Sequence, residues 1–168
     1  MNPDYYKGIK KIYFKSIISN IIKIGDLNNK NEVILDFGCG VKVLSSQLPK
    51  NKVLNYDINP DYSDYSDYKV LNFDVVVFNH VLMYMTREEI IKIFQDIKKI
   101  NPNCKFIVGI GKEGLLNKLA AISTFNFTAH KEILTSYNEQ VKILKEITKV
   151  INSKKNIFFM TDIYYTMF

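Results

Sequence analysis

The sequence predicts an α/β fold, with a mostly parallel sheet and helices packed on its faces. Residues 33–40 read VILDFGCG, a β-branched apolar run that passes straight into a glycine turn and then into VKVLSSQL. Residues 73–79, FDVVVFN, form a near-continuous apolar run of the kind that fills the centre of a parallel sheet. Between and beyond these runs lie segments with helical spacing, so strands and helices alternate along the chain.

Bulk properties narrow the class. A chain of 168 residues fits one domain, and 47% hydrophobic with 24% charged residues is globular composition rather than disordered or membrane-spanning. The longest apolar run, residues 75–78, is far short of a membrane span, and residues 1–11 lack the basic-then-apolar order of a signal peptide. Cys39 and Cys104 offer neither a disulfide framework nor a zinc spacing, so no metal site and a reduced, cytoplasmic setting are expected. A net charge of +6, with six lysines against two aspartates in residues 1–30, keeps a nucleic-acid partner open. No arginine-rich stripe or RNA-binding motif accompanies it, and coding bias towards Lys, Ile and Asn also yields such charge.

Residues 7–24 place Ile9, Tyr13, Ile17, Ile21 and Ile24 about one helical turn apart, which predicts an amphipathic helix covering one face of the sheet. Gly25-Asp26 ends it, and residues 27–31 read as a polar connection. After the first strand and its turn, residues 41–48 form a short helix that Pro49 stops. Residues 52–57 are the second strand, ending on Asp57. An acid there, about twenty residues past the glycines, can accept both hydroxyls of a ribose; the alternative is an exposed loop carboxylate. Residues 58–72 are too few for the usual crossover helix and hold a small Asp-Tyr-Ser repeat. Residues 86–89, TREE, are a capping box opening a helix that runs to Ile100 and buries Ile90, Phe94 and Ile97. Residues 104–110 are a further strand. Residues 136–139 are a second capping box, before a helix with Val141, Leu144 and Ile147 on one face. Residues 149–153 and 156–166 read as two closing antiparallel strands around a Ser-Lys-Lys-Asn turn.

The glycines decide the chemistry. A dinucleotide fingerprint requires a third glycine where Val43 stands, so a nicotinamide dehydrogenase is disfavoured. Asp36-Phe37-Gly38-Cys39-Gly40 instead resembles the first motif of class I S-adenosylmethionine-dependent methyltransferases, with Lys42 where the family commonly adds another glycine. Residues 73–76 with 79–82 resemble the fourth motif, and Leu82-Met83-Tyr84 replaces the Leu-Glu-His of many relatives.

That resemblance implies a three-layer Rossmann-like sandwich over residues 1–168, with a helical cap in residues 1–30, residues 104–110 as the fifth strand and an antiparallel hairpin after five βα steps. It implies S-adenosylmethionine as cofactor. Asp36 would take its ammonium, Gly38, Cys39 and Gly40 would approach it, Asp57 would hold the ribose, and Ile58 would be a further cofactor contact. Asp67 and a tyrosine of residues 61–68 would meet the adenine, and the Tyr5-Tyr6 arm could close over it. Asn79, His80 and Tyr84 fall at the reaction centre, with residues 111–135 as acceptor pocket and His130 near its end. A small-molecule acceptor is expected because the pocket segments are short. Alternatives are an RNA or protein methyltransferase using the basic N-terminal helix, or a catalytically degenerate partner subunit. No membrane partner is expected, and no Asn-Pro-Pro-Tyr marks an amino-group methylase.

Overall fold

The computed structural model describes residues 8–29, 31–112, 133–156 and 160–168. The elements are α1 (Gly8–Gly25), β1 (Val33–Phe37), α2 (Val43–Gln47), β2 (Lys52–Tyr56), β3 (Val75–Asn79), α3 (Arg87–Ile100), β4 (Lys105–Gly111), α4 (Tyr137–Ile147), β5 (Lys149–Lys155) and β6 (Thr161–Met167). The strands form one six-stranded sheet in the order β2-β1-β3-β4-β6-β5. The first four strands pair parallel, and β6 runs antiparallel between β4 and β5.

Strand alternation sorts the core into two layers. Leu35, Phe37, Val76, Phe78, Phe106 and Val108 point to one face, where Ile90, Phe94 and Ile97 of α3 and Ile143 and Leu144 of α4 close over them. Ile34, Val75, Val77, Ile107 and Ile163 point to the other, onto Ile17, Ile18 and Ile21 of α1 and Leu44 of α2. The rings of Phe78, Phe94 and Phe106 stack in the first layer, with centroids 4.8 Å to 6.5 Å apart. The N-terminal helix thus covers a sheet face, as its spacing predicts. Among the described residues no helix is long and apolar enough to cross a membrane.

The first capping box forms in both directions; of the second only the Ser136 half forms, with no return bond from Glu139 among the described residues. Thr86 accepts from the Glu89 amide while Glu89 returns a bond to the Thr86 amide, and Ser136 accepts from the Glu139 amide. The α4 stripe is shifted, since Gln140, Ile143 and Leu144 are buried while Val141 and Ile147 are only half-buried. Gln140 holds its place by donating to the Thr135 carbonyl at 2.8 Å.

Three expectations are corrected. Residues 58–72 carry only a single 3-10 turn, Tyr68–Val70, and no strand, so β2 is the sheet margin. Residues 105–111 are therefore the fourth strand, and four parallel strands precede the hairpin; the segment is too short for a crossover helix and a strand together. Leu27, read as part of a polar connection, is fully buried. Asp26 turns left-handed (φ 49°) and the Leu27 amide reaches back to the Ile22 carbonyl at 3.0 Å, a closure that folds the side chain under the helix. The expected Ser-Lys-Lys-Asn turn is mostly strand instead: Ser153, Lys154 and Lys155 pair with Tyr164, Ile163 and Asp162.

Candidate functional site

The carboxyl ends of β1, β2 and β3 lie level, with Phe37 in register with both Tyr56 and Phe78. The turn after β1 is shaped by three left-handed residues, Gly38 (φ 77°), Gly40 (φ 47°) and Lys42 (φ 59°). The amides of Gly38 and Cys39 both donate to the Tyr56 carbonyl, at 2.8 and 3.1 Å, which ties the turn to the end of β2. A Cβ on Gly38 would lie 2.6 Å from Val81 Cγ2, so that glycine is required by the neighbouring β3 loop as well as by its backbone angle.

Lys42, at the position where the resembled family commonly has glycine, is itself left-handed. Its ammonium pairs with Asp64, whose other oxygen accepts from Asn55 Nδ2 at 2.8 Å. Lys42 and then Asn55 hold the Asp64 carboxyl below the usual range. The repeat segment is thereby fastened to the glycine turn.

Asp57 follows β2, and both of its oxygens accept backbone amides: Oδ2 from Gly40 and Oδ1 from Asn59, each at 2.9 Å. Ile58 beside it is 93% exposed, a large apolar side chain held open at the lip of this edge. Asp36 is different. It is buried, and none of the hydrogen bonds or ion pairs among the described residues reaches its carboxyl; burial first, and the charge of Asp57 second, push it up to about 7. Burial, with Asp36 and Asp57 nearby, likewise pushes the Cys39 thiol up to about 12, and its sulfur lies 3.5 Å from the Tyr62 carbonyl.

At the end of β3, Asn79 Oδ1 is buried without a hydrogen-bond partner among the described residues, and a Cβ on Gly109 would come within 2.8 Å of it. His80 is left-handed (φ 56°), and its Nε2 meets Thr161 Oγ1 at 2.9 Å, which in turn lies 2.6 Å from the Tyr13 hydroxyl. Tyr84 sits half-exposed on a 3-10 turn, Leu82–Tyr84. On the other side of the same edge, the Tyr137 hydroxyl donates to Asp162 at 2.6 Å and Lys112 Nζ lies 2.9 Å from the same carboxylate.

The sequence-expected residues Asp36, Gly38, Cys39, Gly40, Asp57, Ile58, Asn79 and His80 thus gather along one sheet edge. Asp67 is exposed and accepts from the Lys69 amide at 2.9 Å, capping its 3-10 turn. Tyr68 is not free to face a ligand, because its ring packs in the core 5.0 Å from Phe37 and 5.3 Å from Tyr56. His130, the Tyr5-Tyr6 arm and most of residues 111–135 lie outside the described residues. Sequence reasoning missed the Asp64 partner of Lys42, concealed in the repeat, and the Thr161 partner of His80, for which no local signal exists. A cavity of about 210 Å³ lined by Val33, Asn72, Phe73, Asp74, Ile100 and Asn101 opens at the opposite, amino-terminal edge of the strands and takes no part in this arrangement. No group of three His, Cys, Asp or Glu among the described residues could hold a metal ion.

No protein-family model and no curated protein matches the chain. Solved structures do. The magnesium protoporphyrin IX methyltransferase from Synechocystis PCC 6803, with bound SAH, superposes with a TM-score of 0.62 at 17% identity over 98% of this chain and 91% of that one. The Burkholderia thailandensis 1,6-didemethyltoxoflavin-N1-methyltransferase gives 0.65 at 12% identity over 97% and 83%. The methyltransferase domain of a bacterial Hen1 gives 0.63 at 12% identity over 93% and 100%. The fold is that of the class I methyltransferases. Within this fold, the glycine turn, Asp57 and the His80 corner occupy adjoining strand ends, and β2 is the margin strand of the sheet among the described residues.

Proposed function

We propose that the chain, as one domain, transfers a methyl group from S-adenosylmethionine to an acceptor bound beside His80. The observation that carries this is Asp36, a buried carboxylate beside a glycine turn with no cation partner among the described residues. Such a group is costly to bury alone and is matched by a ligand ammonium. The donor set suits the cofactor: Asp36 for the ammonium, the Gly38–Cys39–Gly40 backbone for close approach, Asp57 for the ribose and Ile58 for apolar cover. When bound, S-adenosylmethionine supplies an activated methyl group, and displacement at that carbon asks mainly for positioning.

His80 is placed to orient an acceptor or take its proton, with one ring nitrogen held by Thr161. Tyr84 and Asn79 line the same strand end and would position the acceptor. Asp67 caps its turn through Oδ1 and keeps its second oxygen for an adenine amine. The short pocket segments favour a small-molecule acceptor. A nucleic-acid acceptor is the second reading, and one observation favours it: no acidic residue interrupts the lysines of α1 or β5.

Isothermal titration of the purified protein with S-adenosylmethionine, S-adenosylhomocysteine and a nicotinamide dinucleotide tests the reading. Micromolar binding of S-adenosylmethionine and S-adenosylhomocysteine, and not of the dinucleotide, is expected. Folded protein that binds none of the three would leave a degenerate partner subunit as the better account.

A further inference from the structure

We infer that the sheet margin made by α1 and β5 is a nucleic-acid-binding surface, its lysines engaging a phosphodiester backbone. α1 carries Lys10, Lys11, Lys15 and Lys23 and β5 carries Lys149, Lys154 and Lys155, with no acidic residue in either. The net charge of the whole chain is +6, so these two elements account for all of it and the remainder is close to neutral.

The two elements adjoin. Ser16 and Asn20 of α1 donate to Asn156 Oδ1 at the end of β5, at 2.8 and 2.9 Å. Between the elements, Lys23, Ile24, Asn152, Ser153 and Lys154 line a concavity of about 270 Å³. Elsewhere Lys42, Lys69, Arg87, Lys105 and Lys112 each have a carboxylate partner, while Lys50, Lys52, Lys92, Lys98, Lys142 and Lys145 are exposed without an ion pair among the described residues, but on segments that also carry acidic residues or stand singly. Lys15, Lys23, Lys149, Lys154 and Lys155 are exposed and have none among the described residues. Uncompensated charges of one sign on adjoining elements create a potential that concentrates a polyanion.

Lysines on a margin strand also deter strand pairing, which accounts for β5 but not for α1, a helix that exposes no strand edge. A bilayer is a poor fit, because the apolar stripe of α1 is spent on the sheet through Ile17, Ile18 and Ile21. The surface also leads to the candidate site. Lys155 is in register with Asp162, the neighbour of the Thr161 that holds His80. That a bound strand is the methyl acceptor rests on the function proposed above; the binding surface itself does not.

The test is fluorescence anisotropy of a labelled single-stranded RNA over a salt series. It compares the wild-type protein, the triple variant Lys149→Gln, Lys154→Gln, Lys155→Gln, and a charge-matched control, Lys50→Gln, Lys92→Gln, Lys145→Gln, drawn from exposed positions on other elements. Loss of three phosphate contacts should flatten the slope of log affinity against log salt by about 2 and weaken low-salt binding at least tenfold, with the control near wild type. Equal losses in the two triples, or no loss in the first, would overturn the inference. So would wild-type protein that ignores RNA but binds phosphatidylserine vesicles. Titration of S-adenosylmethionine into the same three proteins separates the two claims: RNA binding without cofactor binding sinks the methyltransferase reading alone. Single variants at Lys154 and Lys155 give the same readout if the triple does not fold.

Discussion

Asp36 lies in β1 with its carboxyl buried and no hydrogen-bond or ion-pair partner among the described residues, so folding favours its protonated form. Because its folded pKa, about 7, exceeds the unfolded value, the folded state holds the proton more tightly. Its contribution to stability is therefore fully present below about pH 4 and is lost as pH rises towards about 7. Urea unfolding across that window should show the decline, and Asp36→Asn should flatten it. A ligand ammonium reverses the preference, so cofactor binding below about pH 7 should release a proton; a binding enthalpy that ignores the ionisation heat of the buffer would remove Asp36 from the site. Asp57→Ala should weaken S-adenosylmethionine at least tenfold, about 1.4 kcal/mol, in the same titration. Lys42→Gly removes a left-handed side-chain penalty of about 1–2 kcal/mol together with a solvent-screened ion pair, so urea melts should place it at or slightly above wild-type stability. The first motif was legible because Asp36, Gly38 and Gly40 state a backbone requirement locally. Lys42 was legible only as a departure: its angle and its Asp64 partner belong to a contact across 22 positions.

At the scale of elements, what the sequence carried well was whatever is decided within one helical turn. The Thr86 box is such a case, with donor and acceptor three residues apart, and Thr86→Ala should cost about 1 kcal/mol in urea melts. The α3 stripe was legible for the same reason. Strand limits were not. Ser153, Lys154 and Lys155 look like turn residues until Tyr164, Ile163 and Asp162 pair with them, and pairing is a property of both strands. Leu27 was lost because a left-handed Asp26 reversed the chain after α1, and sequence pattern does not show which side of a turn a lone leucine will take.

For the whole molecule, the alternation of strands and helices foretold the layers, while the number of strands depended on whether residues 58–72 could hold one more. The bonds that join distant parts left no mark on the sequence at all. Thr161 links the His80 ring at the sheet edge to Tyr13 on α1, and nothing near any of the three announces it. Thr161→Val should cost about 0.5–1.5 kcal/mol in urea melts and shift the His80 imidazole resonances, whereas Thr161→Ser should retain both. The same linkage has a consequence for how the protein comes to be made. Ser16 leaves the ribosome 140 residues ahead of its partner Asn156, and Tyr13 precedes Thr161 by 148. At translation speeds of about 5–20 residues per second, α1 waits roughly 7–30 seconds for these hairpin partners, although Ile34, Leu44, Val75, Val77 and Ile107, which cover its isoleucine stripe, emerge earlier. Newborn chains therefore hold a first helix whose polar anchors lack their partners until the hairpin emerges, and anything that slows translation before it lengthens that interval.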